Sequence, residues 1–371
     1  MIFASMILTI LIFLILLSVL VFVHELGHFL VARKTGMAVE EFGFGFPPRM
    51  AGFRRGGVLY SVNWIPIGGF VKIKGEDGSS KSEDDSFAAK KPWQRFLVLI
   101  AGVVMNFLFA AFLFSIGYMS GLPTAIEGTL PKQAVVREQK ISIMQVLPNS
   151  PAARAGIVSG DVLVSLNGAP VSDASSVRSV ILEHQDGVKL MVQKKEGGFQ
   201  EVTLVSEDLP SVKTKGIGVG FLETGLVSYP WYLAVPQGFV ATARLTQDIF
   251  VSLGLMIKNI FSKQKVAMDL AGPVGIAVMT KEVAAQGWIY LLQFAALLSV
   301  NLAVVNILPF PALDGGRVLF LIIEKIRGKS VQASVETVMH NIGFICLMAL
   351  VVFVTYRDLV RLSGAFIGAI K

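Results

Sequence analysis

The sequence predicts a polytopic α-helical membrane protein of about four transmembrane helices, with a small α/β domain inserted between the second and the third. Three observations carry this expectation. Hydrophobic residues make up 53% of the 371 residues and charged residues only 16%, where a water-soluble globular chain carries about 25% charge. The apolar residues gather into runs approaching the roughly 20 residues that cross a bilayer. The long stretch 123–287 changes character, alternating strand-like runs with polar turns before a mixed helical pattern.

The first run extends from Ile7 to Val23, apolar apart from Thr9 and Ser18, and resumes at Phe29-Leu30-Val31 after a polar patch. No basic segment precedes it and no small-x-small cleavage site follows, so a retained helix is expected rather than a cleaved signal peptide. Tyr60 to Lys74 is expected to form a hairpin whose apolar tip dips into the membrane from the cytoplasmic side. Backbone can do this only where protein or a water-filled cavity satisfies it. Gly78 to Ser86, rich in Ser and Asp, is expected to be a flexible loop. Phe96 to Tyr118 is the second run, broken only by Asn106 and Ser115.

Beyond it, Ile143-Met-Gln-Val, Val162-Leu-Val-Ser-Leu and Lys189-Leu-Met-Val-Gln are the strands expected of the α/β domain. Tyr232 to Phe261 follows a helical pattern interrupted by Arg244, Gln247, Asp248 and Asn259. It is expected to lie as an amphipathic helix on the outer membrane surface, the alternative being a helix packed on the α/β domain. Trp288 to Leu308 is the third run and Ile342 to Thr355, with its flanks, the fourth; Val318 to Ile323 is too short to cross. The expected divisions are 1–122, 123–225, 226–287 and 288–371.

Basic residues set the expected orientation. They cluster between the first two runs, from Arg33 to Arg95, and between the last two, at Arg317, Lys325, Arg327 and Lys329. The positive-inside rule places both clusters in the cytoplasm, and the N-terminus and 123–287 outside. The net charge of +7 therefore belongs to membrane flanks. No basic stripe with interleaved aromatics points to a nucleic acid. The single cysteine, Cys346, excludes an internal disulfide and a multi-cysteine metal site.

The chemistry-bearing pattern is His24-Glu25-Leu26-Gly27-His28. On a helix, positions i and i+4 share a face, so both imidazoles can address one zinc ion. Glu25, next to the first ligand, can act as general base toward water. Glu25 precedes Arg33 by eight residues, about 12 Å along a helix, which places it within the hydrocarbon. A carboxylate there costs about 2.5–3.5 kcal/mol, and three polar side chains at that depth call for a shared partner. A helix-end cluster bonded to neighbouring helices is the alternative. Catalytic zinc takes three protein ligands. For the third, His184 lies in the α/β domain, His340 precedes the fourth run, and Asp314 is better placed. Asp314 directly follows the third run in a stretch broken by Pro309 and Pro311. A helix N-cap is its other reading. A straight helix from Trp288 to Leu308 would pass the depth of His24, so this segment is expected to end early or turn back.

These residues resemble the site-2 protease family of intramembrane zinc metalloproteases, in the bacterial branch of the regulator of sigma-E protease. His24-Glu25-Leu26-Gly27-His28 is similar to the family's metal motif, and Leu313-Asp314-Gly315 to its second motif, which implies Asp314 as the third ligand. Val39 to Phe46 and Gly68-Gly-Phe-Val-Lys72 resemble the segments after the first helix, the latter the membrane-dipping β-loop, which implies Gly68 and Gly69 at the substrate. Ala101 to Asn106 resembles the second-helix motif, with Val103 where the family often has proline. Ser150-Pro-Ala-Ala-Arg-Ala-Gly-Ile157 with Gly160-Asp161 is similar to PDZ domains of bacterial proteases. Asn301 and Asn306 fall in the third-helix pattern; an asparagine there can bond a peptide unwound for cleavage or a neighbouring helix.

The resemblance implies a Zn2+-dependent endopeptidase in the bacterial inner membrane. Its substrates would be single-pass membrane proteins, anti-sigma factors or signal-peptide remnants, first cut by a site-1 protease. A zinc transporter and a non-catalytic PDZ scaffold are the rival classes. The first gives no role to a peptide-binding domain, and the intact Glu25 argues against the second.

Overall fold

The computed structural model describes every residue except 1, 79, 81, 127–129, 172, 185, 196, 210–213, 263–270, 330 and 371, and the side chains of 2–6, 67, 175, 214, 333 and 363–370. In chain order the elements begin α1 (Ile2–Lys34), β1 (Val39–Arg55), β2 (Val58–Ile73), α2 (Pro92–Ser120), β3 (Leu122–Ala125), β4 (Val135–Val146), α3 (Pro151–Arg154) and β5 (Val162–Leu166). They continue β6 (Ala169–Pro170), α4 (Ala174–Glu183), β7 (Val188–Gln193), β8 (Phe199–Leu204), β9 (Glu207–Leu209), β10 (Thr214–Gly216) and β11 (Val219–Ser228). Five helices close the chain: α5 (Trp231–Phe261), α6 (Pro273–Gln286), α7 (Trp288–Ile307), α8 (Asp314–Arg327) and α9 (Ala333–Ile370). Two compact units result, Gly117–Ala234 and the remainder.

In the helical unit, five helices among the described residues are long and apolar enough to cross a membrane: Ile7–Lys34, Pro92–Ser120, Trp231–Phe261, Trp288–Ile307 and Ser334–Leu362. The fifth beyond the expected set is α5. Its 31 residues carry only Arg244, Asp248 and Lys258 as charged groups, so an 18-residue stretch with no more than two of them remains apolar on average. It packs on α2, where a side chain at Gly238 would collide with Ala111 and Ser115.

β1 and β2 lie against α1. Their register shifts around Pro47-Pro48 and Pro66, so two strands supply four pairing segments. Phe42 faces Val71 on one side and Tyr60 on the other, Phe44 faces Gly69 and Val62, and beyond the shift Phe53 faces Tyr60. One face of this layer buries Val39, Phe42, Val58 and Ile73 against Ala32 of α1 and Val98 and Leu99 of α2. The other side leaves Phe53, Trp64 and Ile65 exposed. The hairpin expected over Tyr60 to Lys74 is present, but its arms do not pair with each other: 59–65 and 69–73 run in opposite directions on either side of 39–46. The chain reverses twice, at Gly56-Gly57, both at positive φ, and again at Pro66 to Gly68, where Gly68 is at φ 74°, a conformation glycine adopts freely. Ser18 of α1 secures the bend: its hydroxyl donates to the Pro66 carbonyl at 2.7 Å and accepts from the Gly68 amide at 3.4 Å.

The described part of 78–86, expected to be flexible, is tied down. Lys74 pairs with Glu83 at 2.5 Å and Asp85 at 2.9 Å, bonds that push its ammonium up to about 12. The Ala38 amide also donates to the Asp85 carbonyl at 2.8 Å. Part of the linker expected before α7 falls at 263–270, outside the described residues; the rest contains α6, begun by Pro273 at the first helical position. The Gly272 and Gly275 amides at its start donate to Asp358 of α9 at 2.9 and 2.8 Å.

The second unit is built on a sheet in the order β3-β11-β4-β5-β7-β8, with β6 beside β5. Strand periodicity is plain in β7, where Val188, Leu190 and Val192 are fully buried and Lys189 and Gln193 point out. Ser150 caps α3 by accepting from the Ala153 amide at 3.2 Å, and Asp173 caps α4. Asp161, fully buried, accepts from Lys194 at 2.5 Å and from the Val158 and Lys195 amides at 3.0 Å each. Burial opposes its charge, but these three donors prevail and hold its carboxyl below the usual range. The stabilisation is therefore complete above the unfolded-state value near 3.9 and is lost as pH falls through the lower folded value. Asp161→Ala should weaken hydrogen-exchange protection of β4–β11 in the full chain by about 1–3 kcal/mol at pH 7. The gap from the parent protein should close as pH falls below about 4; a gap that persisted there would refute this assignment.

Candidate metal centre

His24 and His28 lie on one face of α1 and both are buried. α7 ends at Ile307, the chain turns through 308–313 with Ala312 at φ 78°, and α8 begins at Asp314. The third run therefore does not end early: its helix keeps 20 residues, and the chain turns only after it. A side chain at Gly315 would strike the Ile307 and Leu308 carbonyls, and one at Gly316 the Phe310 carbonyl, so both glycines permit the tight return. Leu313, not Asp314, occupies the N-cap. The Asp314 carboxylate is left to face α1.

There Asp314 Oδ2 lies 3.0 Å from His24 Nε2 and 3.4 Å from His28 Nε2, and the two imidazole nitrogens are 3.2 Å apart. Tetrahedral zinc with bonds of 2.0–2.1 Å separates its ligand atoms by about 3.3 Å, and this triangle matches. Asp314 Oδ2 is also buried without a hydrogen-bond partner, an unfavourable state for a carboxylate that a cation would relieve. These residues form the one His/Cys/Asp/Glu group of metal-binding geometry found among the described residues. Glu25, half-buried beside them, accepts from the Val71 amide of β2 at 3.1 Å.

The second helix supplies the backing. Val98, Gly102 and Asn106 recur every four residues, forming a stripe along α2 that faces the histidines. The Val98 carbonyl lies 2.7 Å from His28 Nδ1, and the Asn106 amide 3.3 Å from His24 Nδ1. Between them, a side chain at Gly102 would fall on both imidazoles, 2.6 Å from His24 Cε1. A side chain at Gly27 would likewise strike the Ala101 carbonyl. The helices thus touch backbone to backbone at the level of the motif.

The other candidates are placed as follows. Gly68 is buried at φ 74°, with Val21 3.0 Å from where a Cβ would sit; beside Gly69 the Gly43 carbonyl and Glu25 close in. Asn306 is half-buried in the last turn of α7, whereas Asn301 is exposed and donates to the Leu297 carbonyl of its own helix at 3.0 Å. His184 caps α4 in the α/β unit. His340 is not in the triangle: its Nδ1 accepts from the Ala312 amide at 2.8 Å, bracing the turn that delivers Asp314. Neither this brace nor the Val98 carbonyl has a sequence signature. Gly102 and Asn106 do, in the second-helix motif.

Gly102→Ala should lower zinc affinity at least about tenfold with helix content unchanged by circular dichroism. Unaltered affinity in a chelator competition would show that the contact yields without disturbing the histidines.

The chain is similar to several known proteins. Residues 12–350 match the family described as Peptidase family M50. A Clostridium perfringens chain designated a zinc metalloprotease is 35% identical over 92% of this chain and 96% of its own length. The Bacillus subtilis protein described as regulator of sigma-W protease RasP is 29% identical over 95% and 99%. Among solved structures, a PDZ domain from Listeria innocua is similar over 22% of this chain and 92% of its own, at 19% identity and a TM-score of 0.20.

Proposed function

The chain belongs to peptidase family M50, and from that premise we propose that it is a zinc endopeptidase cutting single-pass membrane proteins within or near the bilayer. The triangle of His24, His28 and Asp314, set among apolar helices with Glu25 beside it, carries this reading. His24, His28 and Asp314 are the zinc ligands. When bound, zinc supplies Lewis acidity toward the scissile carbonyl and toward water. Glu25 takes the proton of the attacking water and returns it to the leaving amine. Its bond to the Val71 amide leaves the second carboxylate oxygen for that exchange.

A helical substrate must be unwound before it can be cut, and its freed backbone groups need partners. The β2 segment around Gly68-Gly69, which lies against α1 beside Glu25, and Asn306 are the groups we assign to meet them. Asn301, turned into its own helix, is a weaker candidate. The Bacillus subtilis relative is described as a regulator of sigma-W protease, which supports a role in sigma-factor control; on that reading the substrates are of the anti-sigma type, signal-peptide remnants being the other class, after a first cut by a site-1 protease. The clustering of Lys and Arg from Arg33 to Arg95 supports an inner-membrane orientation with β1 and β2 cytoplasmic and the PDZ-like unit outside.

Glu25→Gln should reduce cleavage of a transmembrane peptide by about 10²–10⁴-fold while the purified protein keeps about one equivalent of zinc. His24→Ala should lose both. Substantial cleavage by Glu25→Gln would remove Glu25 from the mechanism, and zinc flux without cleavage in the parent protein would favour a transporter.

A further inference from the structure

We infer that Asn106 is a positioning residue for the metal centre: its side-chain oxygen accepts the Nδ1 proton of His24 and so commits Nε2 to the metal. His24 Nε2 is the atom that faces Asp314 and His28. A neutral imidazole carries one proton, so an Nε2 lone pair directed at a cation requires the proton on Nδ1. A buried N–H needs an acceptor. Among the described residues, the group facing Nδ1 is the Asn106 carboxamide, whose nearer atom, assigned as Nδ2, is 3.3 Å away. Two donors would then oppose each other. Exchanging the amide oxygen and nitrogen, which alters no shape, puts an acceptor against Nδ1–H.

Asn106 is held for this task. It is fully buried, and its backbone carbonyl accepts from Ser299 of α7 at 2.8 Å, so three helices meet at one residue. The Val98 carbonyl, 2.7 Å from His28 Nδ1, serves the other imidazole in the same way, two turns away along α2. One ligand is therefore oriented by main chain, beyond the reach of substitution, and the other by a side chain that substitution can change. Partners of this kind typically contribute 10- to 100-fold in metal affinity.

The inference rests on zinc occupying the His24, His28 and Asp314 site, and the experiment separates the two. The chain has four histidines, so ¹⁵N-histidine labelling of the zinc-loaded full-length protein in detergent gives an assignable spectrum. His24 and His28 should both appear as Nδ1–H tautomers. Asn106→Leu, which keeps the bulk and removes the acceptor, should lower zinc affinity about 10- to 100-fold in a chelator competition. Asn106→Asp keeps an acceptor and removes the donor, and should stay within a few-fold of the parent. An Nε2–H tautomer at His24, parent-like affinity in Asn106→Leu, or equal losses in the Leu and Asp variants would each overturn the inference. If Asn106→Leu does not fold, the tautomer of the parent protein decides alone. Zinc retained in His24→Ala would instead overturn the metal-site reading.

Discussion

The constraint on which the helical unit turns is the contact between α1 and α2 at Gly27 and Gly102. Polar groups in an apolar medium must find partners within the protein, and two imidazoles each present two nitrogens. One nitrogen of each is directed at the shared cleft with Asp314. The other must be satisfied from behind, and only a neighbouring helix at backbone distance can do that with a carbonyl. The two glycines allow the approach. Their neighbours Val98 and Asn106, one turn to either side of Gly102, then fall opposite His28 and His24.

The remaining elements take their positions from this pair. Two residues of α1 hold β2, Ser18 at the bend and Glu25 at the Val71 amide. The strand therefore runs beside the helix that carries the histidines. α7 joins α2 through Ser299, and the return of the chain into α8 is braced by α9 through His340, while Gly343 of α9 leaves room for Pro311. The turn matters here because Asp314 reaches the two histidines from the far end of the sequence, 286 residues after His28. Arg317, three residues beyond Asp314, is paired with Glu76, which fastens the start of α8 to the segment leaving β2.

How much of this could be read in the sequence depended on the kind of group involved. His24, Glu25 and His28 declare themselves because spacing on one helix is local, and Asp314 because prolines and glycines surround it. The strands of the α/β unit follow from alternation, as in Val188, Leu190 and Val192. The turn within Tyr60 to Lys74 was legible, but not what its arms pair with, because β1 runs between them and Phe42 is paired on both sides. α5 was ambiguous because a few charged and amide side chains scattered through 31 residues are compatible with both a surface helix and a span. The Val98 carbonyl left no trace at all, since every residue has one. Asn301 shows the opposite failure, a polar residue at a suggestive position whose side chain bonds its own helix.

The inserted unit begins and ends at one place. The Tyr229 amide donates to the Tyr118 carbonyl at 2.8 Å, the two rings lie 5.3 Å apart, and β3 pairs with β11 immediately inside them. A chain that leaves and re-enters through a closed neck exerts no leverage on what lies outside it. Length added or removed within the neck changes the size of the insert and leaves the spacing of α2 and α5 alone. The architecture is therefore a helical frame with an exchangeable cassette, in which the histidine–aspartate cluster and the inserted α/β unit can diverge at separate rates.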